Sequence, residues 1–247
     1  MARKLIFSIF RYNPEDPLSR PQMKKYKLEE TENLNLFVAL NKIREEQDPS
    51  LQFDFCCRAG ICGACAMVIN GRPGLACHTK AKDLPADITL LPLPGFKLVG
   101  DLSVDTGTWF RTMNEKVESW IHTDKKFDPQ DEEERMDNDI AEKIYELERC
   151  IECGCCVSAC ATAQMRDDFI GAVALNRMAR FIIDPRDKRG EKDYFEVVGT
   201  DQGIFGCMGL LGCEDVCPKH LPLQDQLAFM RRRMGTYALK RLLPWKN

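Results

Sequence analysis

Residues 207–218 read Cys207-Met-Gly-Leu210-Leu-Gly-Cys213-Glu-Asp-Val-Cys217-Pro218. This is a cysteine run of the C-x2-C-x2-C-x3-C-P kind, with leucine at 210 where the second cysteine belongs. An upstream run, Cys150-Ile-Glu-Cys153-Gly-Cys-Cys156-Val-Ser-Ala-Cys160, keeps all four. When two such runs face each other, each lends its fourth cysteine to the cluster held by the other. Cys150, Cys153 and Cys156 then take Cys217, giving four thiolates suited to [4Fe–4S]. Cys207 and Cys213 take Cys160, giving three. Leucine cannot ligate iron, so the fourth corner is expected to be empty and the cluster to be [3Fe–4S].

A third group lies further upstream. Cys57-Arg-Ala-Gly-Ile-Cys62-Gly-Ala-Cys65 has C-x4-C-x2-C spacing, and Cys77 follows after eleven residues. That is the plant-type [2Fe–2S] arrangement. The spacing also selects Cys57 over its neighbour Cys56, which would open a five-residue gap. Gly60 and Gly63 are expected to let the backbone curl and to bring N–H groups to the sulfurs. These three sets use eleven of the thirteen cysteines and leave Cys56 and Cys155, read as small side chains beside a cluster.

The bounds agree with metal chemistry. An odd number of cysteines bunched at short gaps suits ligation better than a disulfide framework. The net charge of -3 over 247 residues points to no nucleic-acid partner. The apolar stretch before Arg11 is six residues, too short for a signal peptide core, and no small-residue cleavage site follows it. No run approaches the ~18 apolar residues of a membrane span. The expectation is a soluble protein in a reducing compartment.

Residues 3–12 alternate apolar and polar, as a strand does, and Met23–Glu30 is expected to pair back on it. Asn35 can cap a helix from Leu36 to about Gln47. The Asn70-Gly71 pair predicts a type I′ hairpin between Ala66–Ile69 and a strand from Leu75 to His78, with a last strand at Ile88–Leu91. Helices are expected behind Ser103 and Asp105, over Trp109 to Ile121, and over 169–183 with Asp168 as cap. A charged loop is expected after Asp184-Pro185. Leu223, Leu227, Met230 and Met234 predict a final amphipathic helix. The fold class is therefore α+β. An N-terminal β-grasp domain with a plant-type [2Fe–2S] centre, residues 1–104, precedes an all-α bacterial-type dicluster ferredoxin domain, residues 105–247.

Two charged stretches stand out. Residues 124–148 carry eleven acidic and four basic side chains, net -7, and are read as a solvated linker and helix surface. Residues 224–247 carry six Lys/Arg against one Asp, net +5. Arg231, Arg232 and Arg233 are expected to face a membrane anchor or anionic headgroups, with a solvated helix face as the alternative.

Other chemistries fit poorly. Zinc wants two cysteine pairs per tetrahedral site, and these spacings do not divide that way. His78, His122 and His220 do not fall in a Rieske pattern. His78 and His220 lie near ligands and are read as outer-sphere or surface residues. There is no dinucleotide glycine fingerprint, P-loop or Ser-His-Asp arrangement, so no catalytic residue is assigned to this chain.

A plant-type centre followed by a [4Fe–4S]/[3Fe–4S] pair resembles the iron–sulfur subunits of succinate dehydrogenases and fumarate reductases. The resemblance covers nearly the whole chain. It rests on Cys57-Arg-Ala-Gly-Ile-Cys-Gly-Ala-Cys, Asn-Gly-Arg-Pro-Gly-Leu-Ala-Cys77, Arg149-Cys-Ile-Glu-Cys-Gly-Cys-Cys, Asp168-Phe-Ile-Gly and Asp215-Val-Cys-Pro-Lys-His. Ile88-Thr-Leu-Leu-Pro-Leu-Pro and Asp101-Leu-Ser-Val-Asp-Thr-Gly-Thr-Trp-Phe look like the fumarate reductases whose anchor is a dihaem cytochrome b. The resemblance implies a flavoprotein partner bearing FAD and the dicarboxylate site. It also implies a membrane anchor with haem b that handles menaquinone or another quinone. The chain would sit peripherally on the cytoplasmic side of the inner membrane. The family often has proline where Ala161 stands, and relatives that bind quinone partly on this subunit carry a tryptophan a few residues on; Ala161-Thr-Ala-Gln-Met165 has neither, which suits the dihaem type, with a haem as the next stop. The implied function is relay of single electrons between quinol or haem and FAD. The same subunit in a succinate:quinone dehydrogenase and a stand-alone ferredoxin-like carrier are the alternatives.

Overall fold

The computed structural model describes residues 3–124, 128–130 and 135–242. Part of the acidic run, at 125–127 and 131–134, and the last basic residue, Lys246, lie outside the described residues. The chain divides into two compact units. One comprises Met1–Phe110, Ile151–Ala159 and Asp215–Pro218, the other Arg111–Cys150, Cys160–Glu214 and Lys219–Asn247.

The first unit is built on a five-stranded mixed sheet. Strands β1 (Lys4–Arg11) and β2 (Gln22–Glu29) pair antiparallel. Leu5, Phe7 and Ile9 alternate inward on β1 and are fully buried, as the period of two requires. Helix α1 (Leu36–Glu46) follows, with Asn35 Oδ1 accepting from the backbone N–H of Val38 at 2.9 Å. It buries Leu36, Phe37, Ala39, Leu40 and Ile43 in the same core as the inward face of β1. Strands β3 (Ala66–Ile69), β4 (Arg72–Leu75) and β5 (Asp87–Leu91) complete the sheet in the order β2-β1-β5-β3-β4, with β5 parallel to β1. A mixed sheet wrapped on one helix in this way is a β-grasp.

The return strand of the hairpin begins at Arg72, three residues earlier than expected. Asn70 and Gly71 both have positive φ, so the turn closes in two residues and pairing resumes at once. The chain leaves the strand at Leu75, which frees Cys77 from the ladder. A hairpin of β6 (Lys97–Gly100) and β7 (Ser103–Asp105), which periodicity does not predict, closes this region.

Helix α2 spans Thr106–Val117, and the division between the units falls after its Phe110. It stops short of Trp120 and Ile121 because Glu118 takes a left-handed conformation, φ 59°, with its N–H on Asn114 O. Helix α3 (Asn138–Glu148) lies in the acidic stretch and buries Leu147. The short helix α4 (Cys155–Ser158) belongs to the first unit, and α5 (Ala161–Met165) to the second. Helix α6 (Gly171–Ile183) is the centre of the second unit. Its buried face packs on α3, and Asn176 Nδ2 donates to Leu147 O at 2.9 Å. Asp168 does not cap α6; it pairs with Arg166 instead.

The expected charged loop after Asp184 contains a helix, α7 (Glu191–Val198), held by only two buried side chains, Tyr194 and Val198. Helix α8 (Gly212–Asp215) is a single turn within the second cysteine run. Helix α9 (Leu223–Leu242) buries Leu223, Leu227, Met230 and Met234 against α6 and α7. At about 2 kcal/mol per buried apolar side chain, that stripe is what fixes α9 to the unit. Among the described residues, no helix is long and apolar enough to cross a membrane.

Candidate metal centres

The loop 57–65 is shaped by hydrogen bonds to sulfur. Cys57 Sγ accepts from the backbone N–H groups of Ala59, Ile61 and Cys62, each at 3.3 Å. Those three donors bring the Cys57 thiol down to about 6, which favours the ligating thiolate. Cys62 Sγ accepts from Cys57 N at 3.4 Å, Cys77 Sγ from Gly60 N at 3.3 Å, and Cys65 Sγ from Cys77 N at 3.5 Å. Thus each of the four sulfurs accepts a backbone N–H, in two groups, Cys57 with Cys62 and Cys65 with Cys77, while Cys56 is exposed. Burial pushes the Cys65 thiol up to about 12, a cost that metal ligation removes by displacing the proton. Thiolates ringed by N–H donors fit an anionic iron–sulfur cluster.

The two glycines of the loop do different jobs. Gly60 is needed for φ +69° and delivers its N–H to Cys77 as expected. Gly63 is needed for space, because a Cβ there would fall 2.7 Å from Cys153 Cβ and 2.8 Å from Cys153 Cα. The plant-type loop and the first cysteine run therefore touch within the first unit. A recess of about 360 Å³ beside them is lined by Cys62, Gly63, Glu152 and Cys153, with Leu93 and Leu102 supplying apolar wall. Backbone spacing alone could not have signalled this contact.

Cys153, Cys156 and Cys217 lie in the same unit, gathered round α4. Cys155 is fully buried among them. Its thiol donates to Cys153 sulfur, which lowers Cys153 and, with burial and the nearby Cys153, Cys156 and Cys217 sulfurs, pushes Cys155 strongly up. Cys155 is thus a small buried side chain beside the candidate ligands, as expected. Arg72 of β4 steadies this group by donating to Asp215 O, and Ser158 Oγ donates to Pro94 O, beyond β5, at 2.9 Å. Cys150 belongs to the second unit, where its neighbour Arg149 donates to the carbonyl of Lys219, two residues past Cys217, at 2.7 Å.

The second unit contains Cys160, Cys207 and Cys213. Burial pushes the Cys213 thiol up to about 11, and the sulfurs of Cys160 and Cys207 add to the effect. Leu210 projects from this loop and is 69% exposed. Met165, Phe205 and Met208 of the same unit are also exposed. His78 and His220 are exposed, with the His78 ring close over Gly60. Two of the three arginines expected to face a membrane have partners on this chain: Arg231 on Cys207 O, and Arg233 3.3 Å from Glu191. Among the described residues, no group of three or more His, Cys, Asp or Glu closes round a single ion.

A β-grasp with thiolates ringed by N–H donors, carried on one chain with a cysteine-paired helical part, defines an iron–sulfur electron-transfer protein. Residues 6–111 match the family of 2Fe-2S iron-sulfur cluster binding domains, and residues 146–221 the 4Fe-4S dicluster domain. The fumarate reductase iron-sulfur subunit of Wolinella succinogenes is 56% identical over 235 residues, 95% of this chain and 98% of that one. The succinate dehydrogenase iron-sulfur subunit of Coxiella burnetii is 36% identical over 233 residues, 93% of this chain and 97% of that one. A chain of the Mycobacterium smegmatis Sdh1 complex in the apo form shares the fold. Its TM-score is 0.86 at 22% identity, covering 98% of this chain and 100% of that one. The chain belongs to the family of iron–sulfur subunits of fumarate reductases and succinate dehydrogenases, and its work is electron transfer.

Proposed function

We propose that this chain relays single electrons between a quinol-oxidising membrane anchor and the FAD of a flavoprotein subunit, in the direction of fumarate reduction. Cys57, Cys62, Cys65 and Cys77 hold [2Fe–2S]; Cys150, Cys153, Cys156 and Cys217 hold [4Fe–4S]; Cys160, Cys207 and Cys213 hold [3Fe–4S]. When bound, these groups supply one-electron oxidation and reduction. The protein's part is to hold them in sequence, exclude water and set the electrostatics at each sulfur. Domain limits at 1–104 and 105–247 go with this reading, as does a peripheral place on the cytoplasmic side of the inner membrane. The anchor is a dihaem cytochrome b carrying haem b and using menaquinone.

The observation that carries the proposal is the contact of Gly63 with Cys153, where two ligand sets adjoin with no room for a side chain between them. Adjoining ligand sets of two cluster types are what a relay requires, and the match over nearly the full length of a fumarate reductase subunit favours a relay within a complex over a lone carrier. The direction is favoured by the 56% identity to a fumarate reductase subunit against 36% to a succinate dehydrogenase subunit. Purification of the chain from its native membranes tests the whole reading. A flavoprotein, a haem-containing membrane subunit and faster quinol:fumarate than succinate:quinone turnover are expected. Recovery of the chain alone would overturn it.

A further inference from the structure

Helix α9 holds the second cysteine run at two points. Glu214, next to Cys213, accepts from the backbone N–H of Gln224 at 2.5 Å, in the first turn of α9. Two turns later, Arg231 Nη2 donates to the carbonyl of Cys207 at 2.6 Å. A Cβ placed on Gly209 would come 4.0 Å from Arg231 Nη1, so the guanidinium lies over the turn from Cys207 to Gly209. The rotation of α9 that presents Arg231 is fixed by its neighbours Met230 and Met234, both fully buried. The short turn Ile204–Gly206 that leads into Cys207 also packs on α9.

We infer that Arg231 is a positioning residue for the set Cys160, Cys207 and Cys213, fixing the Cys207 peptide and raising the reduction potential of the cluster held there. The inference rests on the three-iron reading proposed above. Adding an electron makes an anionic cluster more negative, and a nearby fixed cation favours that state. Arginine suits the task because it stays charged at every working pH and grips a carbonyl with a rigid planar fork. Glu214, a single residue from Cys213, acts with the opposite sign. Arg231 is exposed, so water screens it and the effect is a tuning one.

Redox titration of the purified complex, followed by electron paramagnetic resonance of the three-iron signal, tests this. Arg231→Gln should lower the reduced-to-oxidised ratio at fixed ambient potential about tenfold, a fall of about 59 mV for a one-electron couple. The [2Fe–2S] midpoint should not move. Arg231→Lys, which keeps the charge, should restore at least half of the shift. Arg232→Gln, on the same helix, should move the midpoint less than half as far as Arg231→Gln. Glu214→Gln still accepts the Gln224 N–H and should raise the midpoint, so it decides the matter if Arg231→Gln does not accumulate. A wild-type complex with no three-iron signal overturns the ligand reading and this inference with it. A normal wild-type signal whose midpoint is unmoved in Arg231→Gln, unmoved or lowered in Glu214→Gln, or lowered equally by Arg232→Gln, overturns this inference alone.

Discussion

Gly63 and Cys153 meet backbone to backbone: a single methyl on Gly63 would lie 2.7 Å from Cys153 Cβ. One residue sits between Cys62 and Cys65, two proposed ligands of the plant-type loop, and the other is a proposed ligand of the first cysteine run. The contact fixes how near the two ligand sets come. Gly63→Ala should cost roughly 1–2 kcal/mol for a left-handed alanine, beyond which the loop must shift away from Cys153. Expected are a lower unfolding temperature of the cluster-loaded protein and weaker magnetic coupling between its two reduced clusters. Unchanged coupling would show that the contact does not set the spacing.

Cys155 sits among three proposed ligands, so cysteine spacing by itself could be misread. Its thiol is pushed strongly up by hydrogen bonding to Cys153 and by burial, which sets it apart from Cys153, whose thiol is lowered. Cys155→Ala should keep the [4Fe–4S] cluster, whereas Cys153→Ala should lose it. Loss of one hydrogen bond to the ligand sulfur should move the cluster potential downward in Cys155→Ala. Iron and sulfide analysis with a redox titration checks both points, and a Cys155→Ala protein short of four irons would reassign the ligand.

How much of this was readable beforehand differs by cause. Cluster chemistry demands cysteine at fixed spacing, so all three candidate sets can be read from residue order. Strand alternation in Leu5, Phe7 and Ile9 and the Asn35 cap are local signals, and the structure has both. Helix α7 is different: it buries only Tyr194 and Val198 in a charged stretch, too little apolar periodicity to announce a helix. The reach of Arg231 to Cys207 spans 24 residues, and no local pattern encodes a contact of that range. For the same reason, Gly63 reads as a turn residue until its neighbour Cys153 is known.

Leu210 stands where the complete run has a cysteine, and it is exposed on the loop of the proposed three-thiolate set. Leu210→Cys adds the missing thiolate without displacing a core side chain. The substituted protein should take up a fourth iron at this site, and the resonance of the air-oxidised three-iron cluster should fall in proportion. Retention of the full signal, with the new thiol still open to alkylation, would mean that position 210 does not face the cluster.

Asp48 joins strand, helix end and loop in the β-grasp. Its carboxylate receives hydrogen bonds from Lys24 at 2.6 Å, Tyr26 at 2.7 Å and Ser50 at 2.6 Å, with Arg11 at 2.5 Å. Arg11 also reaches Asp101 at 3.0 Å, and Asp101 accepts from the backbone N–H groups of Tyr12 and Gln52, each at 2.9 Å. Burial opposes ionisation of Asp48, but the donors Lys24, Ser50, Tyr26 and Arg11 outweigh it and hold the carboxyl far below the usual range. Burial, reinforced by Asp48, pushes the Tyr26 hydroxyl up to about 12. Because Asp48 ionises more readily folded than unfolded, its stabilisation is full above about pH 4, the ordinary aspartate value, and drains away as pH falls below it. Asp48→Asn should therefore destabilise this unit by about 3 kcal/mol at neutral pH, the usual cost of leaving a buried cation short of its partner. Hydrogen exchange of the β1 and β2 amides in the assembled protein measures it. The gap between wild type and Asp48→Asn should stay constant from neutral pH to about 5 and narrow below about 4. A gap that widens on acidification would mean that some other group holds these strands together.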